Sequence, residues 1–155
     1  IDAGSIPVFN GEEGTFYGEF ASLGKTGTSR RMSVSDGFNT NRATITITSG
    51  NPDRINLLYK SGGVNQFSSS LPTSLDTTNM NKVAFTWKQG EYRVVYNGVE
   101  HATGSIATLT ANPFSEFGFT RNGTTDKFYA RIREVKIFRR ALTLEELKEL
   151  TNNIV

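Results

Sequence analysis

Short runs in which apolar and polar residues alternate recur along the chain between clusters of turn formers, and this period of two is the mark of half-buried β-strands. In residues 14–23, Phe16, Gly18 and Phe20 alternate with Tyr17 and Glu19. Met32 and Val34 alternate with Arg31, Ser33 and Ser35, and Ala43, Ile45 and Ile47 with Thr44, Thr46 and Thr48. One side of each strand therefore faces a core and the other faces solvent or a ligand. Gly50-Asn51-Pro52-Asp53 turns the chain into a strand through Ile55, Leu57 and Tyr59, which Ser61-Gly62-Gly63 ends. Residues 68–81, rich in Ser, Thr and Asn, read as a long loop with one short edge strand.

Val83, Phe85 and Trp87 point one way, Gln89-Gly90 turns the chain, and Tyr92, Val94 and Tyr96 return. Asn97-Gly98 supplies the positive-φ residues of a type I′ turn, so a third strand follows over residues 99–103. Phe117-Gly118-Phe119 and residues 128–138 read as two more strands. In the latter, alternation passes from Phe128, Ala130 and Ile132 to Val135 and Ile137, a change of parity that predicts a β-bulge near Arg133 and Glu134. One helix is expected near the C-terminus. Thr143 and Glu146 have the spacing of a capping box, Leu142 can staple onto Leu147, and Glu145 and Glu146 complement the helix dipole.

Composition narrows the function classes. A chain of 155 residues fits one domain, and eleven Phe, five Tyr and one Trp give a two-sheet core its aromatic bulk. There is no cysteine, so disulfides, thiolate metal sites and cysteine nucleophiles are excluded, and the single His101 excludes a multi-histidine metal site. A formal net charge of +2 does not argue for nucleic acid. No apolar stretch approaches the roughly 20 residues that span a bilayer, so membrane insertion is not expected. Because the chain begins at Ile1, it reads as the C-terminal part of a longer protein.

The run Asn81-Lys82-Val83-Ala84-Phe85-Thr86-Trp87, followed by Arg93-Val94-Val95-Tyr96-Asn97-Gly98, resembles the central hairpin of laminin G-like and pentraxin-like domains of the concanavalin A-like lectin and glucanase superfamily. The segment from Ile132-Arg133-Glu134-Val135-Lys136-Ile137-Phe138 to Leu144-Glu145-Glu146-Leu147 is similar to that family's closing strand and short helix. The resemblance implies an all-β, two-sheet antiparallel jelly-roll sandwich with one short C-terminal helix, forming a single domain over residues 1–155. The opening Asn10-Gly11-Glu12-Glu13-Gly14-Thr15-Phe16-Tyr17-Gly18-Glu19-Phe20 further resembles domains at the ends of bacteriophage tail and other virion proteins. That likeness implies host-surface attachment from an extracellular or virion-surface position, with a homotrimer formed through an upstream region.

Glycosidases of this fold class resemble one another in a Glu-x-Asp-x-x-Glu strand motif, because hydrolysis needs an acid and a nucleophile at fixed separation. The nearest segment, Glu134-Val135-Lys136-Ile137-Phe138, puts Lys136 where the central carboxylate would stand and has no second Glu. Glu145, Glu146 and Glu149 are better explained as solvated helix charges, and His101 as an exposed strand residue. Calcium occurs in relatives of the fold and is left open by the resemblance, but Asp36, Asp53 and Asp126 lack the loop spacing of an EF-hand, so the residues support no cofactor. Trp87 is in phase with Val83 and Phe85 and reads as core rather than as a sugar platform.

The residues out of phase with the core, Tyr17, Arg31, Arg93, Tyr129 and Arg131, are the candidates for a ligand-binding sheet face. Arg can clamp a carboxylate, and Tyr offers a stacking face and a hydroxyl. The loop between Arg121 and Lys127 adds Arg121, Asn122 and Asp126. The basic stretch Lys127, Arg131, Arg133, Lys136, Arg139 and Arg140 divides between two strand faces, which suits an anionic glycan better than nucleic acid. The expected function is that of a non-catalytic module binding a carbohydrate, such as a cell-surface polysaccharide, or a host receptor. The alternatives are a structural virion decoration or oligomerisation module and, behind it, a glycanase or polysaccharide lyase.

Overall fold

A computed structural model of the protein describes residues 11–24, 28–50, 53–109, 111, 114–120 and 127–152. Ten strands and one helix follow in chain order: β1 (Gly14–Ser22), β2 (Arg30–Ser35), β3 (Arg42–Thr48), β4 (Arg54–Ser61), β5 (Val64–Ser70), β6 (Asn81–Lys88), β7 (Glu91–Tyr96), β8 (Val99–Gly104), β9 (Glu116–Gly118), β10 (Ala130–Phe138) and α1 (Leu144–Thr151). They form two five-stranded sheets, ordered β10-β1-β6-β7-β8 and β5-β4-β3-β2-β9, in which all pairs are antiparallel. The all-β jelly-roll sandwich with a C-terminal helix is thus the observed architecture.

Alternation decides which side of each strand is buried. Phe16, Phe20, Val83, Phe85, Trp87 and Val94 of the first sheet meet Met32, Val34, Ile45, Ile47, Leu57 and Tyr59 of the second in one core. Trp87 is 1% exposed, so its core assignment holds. It stacks on Tyr59 with ring centroids 5.5 Å apart. Its indole N–H and the Tyr59 hydroxyl both donate to the Gly11 carbonyl, at 3.1 and 2.8 Å, giving each buried polar tip a partner. Gly14 is required by this packing, because a Cβ there would run into the Trp87 ring.

The turn chemistry follows the sequence too. Asn97 and Gly98 have φ of 46° and 81° between β7 and β8. The register of β1 against β10 shifts between Glu19 and Phe20, which oppose Glu134 and Ile132, so Arg133 is the extra residue of the expected bulge. Two expectations need correction. Serines 68–70 belong to the seven-residue edge strand β5, where they pair with Leu58, Leu57 and Asn56. Only Phe67 of that strand enters the core, which is why hydrophobic alternation fails to announce it. His101 is half-buried rather than exposed, with Nε2 2.9 Å from the Ser70 carbonyl across the gap between β8 and β5.

α1 closes the outer side of the first sheet. Thr143 accepts from the Glu146 amide and Glu146 accepts from the Thr143 amide, completing the capping box. Leu142 and Leu147 are buried with Tyr17, Ala84 and Val95 in a second, smaller core on that side. Among the described residues no helix is long and apolar enough to cross a membrane.

Candidate functional site

The sequence-derived candidates do not converge. Tyr17 is out of phase with the main core, as expected, but it is 1% exposed, because Leu142 and Leu147 bury it on the outer side of its sheet. This overturns its role as a ligand contact. Burial first, and then the neighbouring carboxylates Glu19 and Glu134, push its phenol well above the ordinary tyrosine range, so it stays neutral. Arg93 lies on the same outer side and is held by Glu91 at 2.5 Å and Glu100 at 2.8 Å.

Tyr129 and Arg131 stand at the edge of the first sheet, near its junction with Ser22. The Tyr129 side chain is 58% exposed. Its carbonyl accepts from the buried Arg30 at 3.2 Å, and Arg131 donates to the Thr78 carbonyl at 3.1 Å. Beside them a cavity of about 200 Å³ is lined by Ser22, Asp53 and residues 73–78. A wider cavity of about 590 Å³ opens at the opposite end of that sheet, between Glu12, Glu13, Lys88, Gln89 and Leu109. Arg121, Asn122 and Asp126 lie outside the described residues.

Three of the six cations of the basic stretch near the C-terminus are ion-paired. Arg133 pairs with Glu19 at 2.7 Å, Lys136 with Glu134 at 2.8 Å and Arg140 with Glu146 at 2.6 Å. Arg140 and the Thr143 amide hold the Glu146 carboxyl down at about 2. Glu19, Glu134 and Glu146 are each held in one of these pairs.

Arg31 leads to a different surface. It lies on the outer side of the second sheet, where the strand register sets Arg31, Thr46, Asn56 and Ser70 in one row. The next row holds Ser33, Thr44, Leu58 and Ser68, and the third holds Ser35, Arg42, Lys60 and Asn65. Hydroxyls, amides and cations thus tile this face, with Leu58 as its apolar member. Thr44 and Thr46 point away from the core yet are 2% and 5% exposed, so they form the floor of the face, whereas Arg54, Ser68 and Ser70 stand exposed at its margin. Among the described residues the Thr44 hydroxyl has no hydrogen-bond partner. The Asn56 amide donates to the hydroxyls of Ser68 and Ser70, both at 3.1 Å, which fixes the side chains along the β4–β5 margin.

Sequence reasoning missed most of this face. Thr44, Thr46, Asn56 and Lys60 carry the same out-of-phase signal as Arg31, and only attention to which strands adjoin in space singles them out. Phe38 was missed as well; it is 70% exposed on the β2–β3 connection. There Asp36 accepts from the Phe38 amide and from the Asn41 side chain. Asp53 is committed to Arg30 at 2.7 Å. Among the described residues no three His, Asp or Glu side chains gather in a way that could hold a metal ion.

A family model described as the concanavalin A-like lectin/glucanases superfamily matches residues 9–148. The chain belongs to this superfamily. No curated protein matches the sequence. Among solved structures, the CBM40 module of a Ruminococcus gnavus IT-sialidase is similar with a TM-score of 0.71 and 17% identity, over 94% of this chain and 92% of that one. The same module has been solved bound to α2,3-sialyllactose. A leech intramolecular trans-sialidase is similar at a TM-score of 0.67 and 20% identity over 94% of this chain, which spans 24% of that protein. Domain 4 of a GH43 extracellular arabinanase from Geobacillus stearothermophilus, in complex with arabinotriose, is similar at 0.65 and 18% identity, over 96% of this chain and 69% of that one. Likeness at these identities is likeness of fold.

Proposed function

We propose that this superfamily member is a non-catalytic carbohydrate-binding module whose ligand lies across the outer face of the second sheet. The observation that carries the reading is that face itself: rows of hydroxyl, amide and cationic side chains fixed on β2, β3 and β4. A sugar presents many hydroxyls and few charges, so a rigid array of alternating donors and acceptors suits it, and a preorganised sheet spends little entropy on binding. Two of the similar structures support the reading, since they hold sialyllactose and arabinotriose as bound ligands. A narrower form, attachment to a host surface from a phage tail or virion and hence an extracellular position, has only the sequence resemblance of residues 10–20 behind it.

The test is to titrate the ¹⁵N-labelled domain with glycans that include α2,3-sialyllactose and arabinotriose. Amide shifts are expected to concentrate in β2, β3 and β4. Shifts gathered instead around residues 73–78 would move the site to the cavity beside Tyr129, and no shift with any glycan at millimolar concentration would defeat the proposal. Release of reducing sugar by the purified domain would make it an enzyme.

A further inference from the structure

A buried ion pair organises the end of the sandwich where β1 finishes and β4 begins. Arg30 and Asp53 are 1% and 6% exposed, and the guanidinium donates to the carboxylate at 2.7 Å. The other terminal nitrogen of Arg30 donates to the Ser22 hydroxyl at 2.8 Å and to the Tyr129 carbonyl at 3.2 Å. Taking two charges out of water costs about as much as their attraction returns, so such a pair is weak as a source of stability. What it supplies here is position. One side chain ties the last residue of β1, the entry to β4 and the entry to β10 to a common point.

Ser22 and Asp53 form one wall of the cavity of about 200 Å³, and residues 73–78 form the other. That second wall is held in place too. The Ser22 amide donates to the Thr77 carbonyl at 2.7 Å, and Arg131 donates to the Thr78 carbonyl at 3.1 Å. The Asn81 side chain donates to the Asp76 and Asn79 carbonyls at 3.0 and 2.8 Å. By its share of liquid volume a water takes about 30 Å³, so the cavity has the room of about six or seven waters, or one small polar molecule.

The lining keeps open hydrogen-bonding groups. Among the described residues the hydroxyls of Thr73, Ser74 and Thr77 have no partner, and none of the three is sealed from solvent. Thr73 and Ser74 are exposed, and Thr77 is 8% exposed. The Asp53 charge is met by Arg30, whereas Asp76 is met only by neutral groups, the Thr78 amide and hydroxyl and the Asn79 side chain. The Thr78 hydroxyl, and after it the Thr78 amide, hold the Asp76 carboxyl below the ordinary range, so it stays ionised at neutral pH. No cation stands among the described residues that line the cavity.

We infer that this cavity is a second carbohydrate site, separate from the second-sheet face, and that it takes one neutral sugar unit. Thr73, Ser74 and Thr77 exchange hydrogen bonds with its hydroxyls, and Asp76 accepts from them and turns away a carboxylated sugar. Tyr129, 58% exposed at the rim, offers a ring face to an adjoining unit. Two sites on one rigid module add avidity for a surface that carries many chains.

The test is amide mapping of the ¹⁵N-labelled domain with methyl glycosides of glucose and galactose, with lactose and arabinotriose, and with methyl glucuronide and galacturonide. At least one neutral sugar is expected to shift residues 22–24 and 73–78, and the two acidic glycosides should bind at least tenfold more weakly. Thr77→Val keeps the shape and removes the hydroxyl, so it should weaken that binding at least fivefold. Should it fail to fold, Ser74→Ala at an exposed position carries the same expectation. Asp76→Asn should remove most of the preference against the acidic glycosides. Shifts at both β2–β4 and residues 73–78, or at 73–78 alone, would uphold this site, the latter at the expense of the second-sheet face. Shifts confined to β2–β4 would end the inference and leave that face in place. Normal binding by both hydroxyl variants, acidic glycosides that bind as well as neutral ones, or shifts at 73–78 with calcium chloride but with no sugar would each overturn it.

Discussion

The two sheets were given the same task on their inner sides and opposite ones on their outer sides. The first sheet presents Tyr17, Ala84 and Val95 outward, and α1 with Leu142 covers them. The charged residues around that patch are matched into pairs. The second sheet presents threonines, serines, Asn56 and Leu58 outward, and it sets Arg42 beside Lys60. A face that pairs its charges and buries its apolar groups has nothing left to offer a ligand. The second sheet instead leaves the Lys60 ammonium without a carboxylate partner among the described residues. The difference argues for function more strongly than any single residue does, because both faces belong to one molecule under the same conditions.

The covered face should fail first under mutation, and without consequence for the ligand. Leu147 is fully buried between α1 and the first sheet, so Leu147→Ala should cost about 2–5 kcal/mol in urea unfolding, from lost transfer energy and the cavity left behind. Glycan affinity of the folded fraction should stay at the wild-type value. A large loss of affinity in a still-folded variant would mean that the two faces are coupled. Thr143→Ala removes the cap of α1 and should cost about 1 kcal/mol, again with no change in affinity. Arg93→Ala breaks two partly exposed ion pairs and should cost only about 0.2–1 kcal/mol. If Arg93→Ala abolishes glycan binding, the division of labour between the sheets is wrong.

The contrast between the faces also explains what could be read from the chain alone. The sandwich was legible because alternation in Phe16 to Phe20, Ala43 to Thr48 and Val83 to Trp87 is local, as are the Asn97-Gly98 turn and the capping box at Thr143. Even the bulge at Arg133 shows as a change of parity. The site was not legible because parity says only that a residue leaves the core. It made Tyr17 and Arg31 look alike, although one lies beneath a helix contributed from more than a hundred residues away and the other on the open rows of β2. Likewise Arg42 and Lys60 become a pair only through the pairing of β3 with β4, and their sequence neighbours give no sign of it. The same pairing in space sets Arg133 against Glu19 and Arg140 against Glu146, which the run of basic residues does not announce.

The smallest predicted effect is a pH dependence on the side of the first sheet. Arg140, and after it the Thr143 amide, hold the Glu146 carboxyl at about 2 in place of its ordinary 4.5. A carboxyl whose folded value is depressed contributes stability that is complete above its unfolded value and is lost as pH falls through the folded one. The contribution of the Arg140–Glu146 pair should therefore be intact at neutral pH and decline between about 4.5 and about 2. Glu146→Gln tests this, since it keeps the shape and loses the charge. The difference in thermal midpoint between wild type and variant should shrink over that window and vanish at its lower end. The effect will be modest, because both side chains are solvent-exposed and screened. Direct titration of Glu146 by NMR near the ordinary carboxylate value would show that the pair does not form in solution. Glu146→Gln should leave glycan binding where it was, since the pair lies on the side of the first sheet.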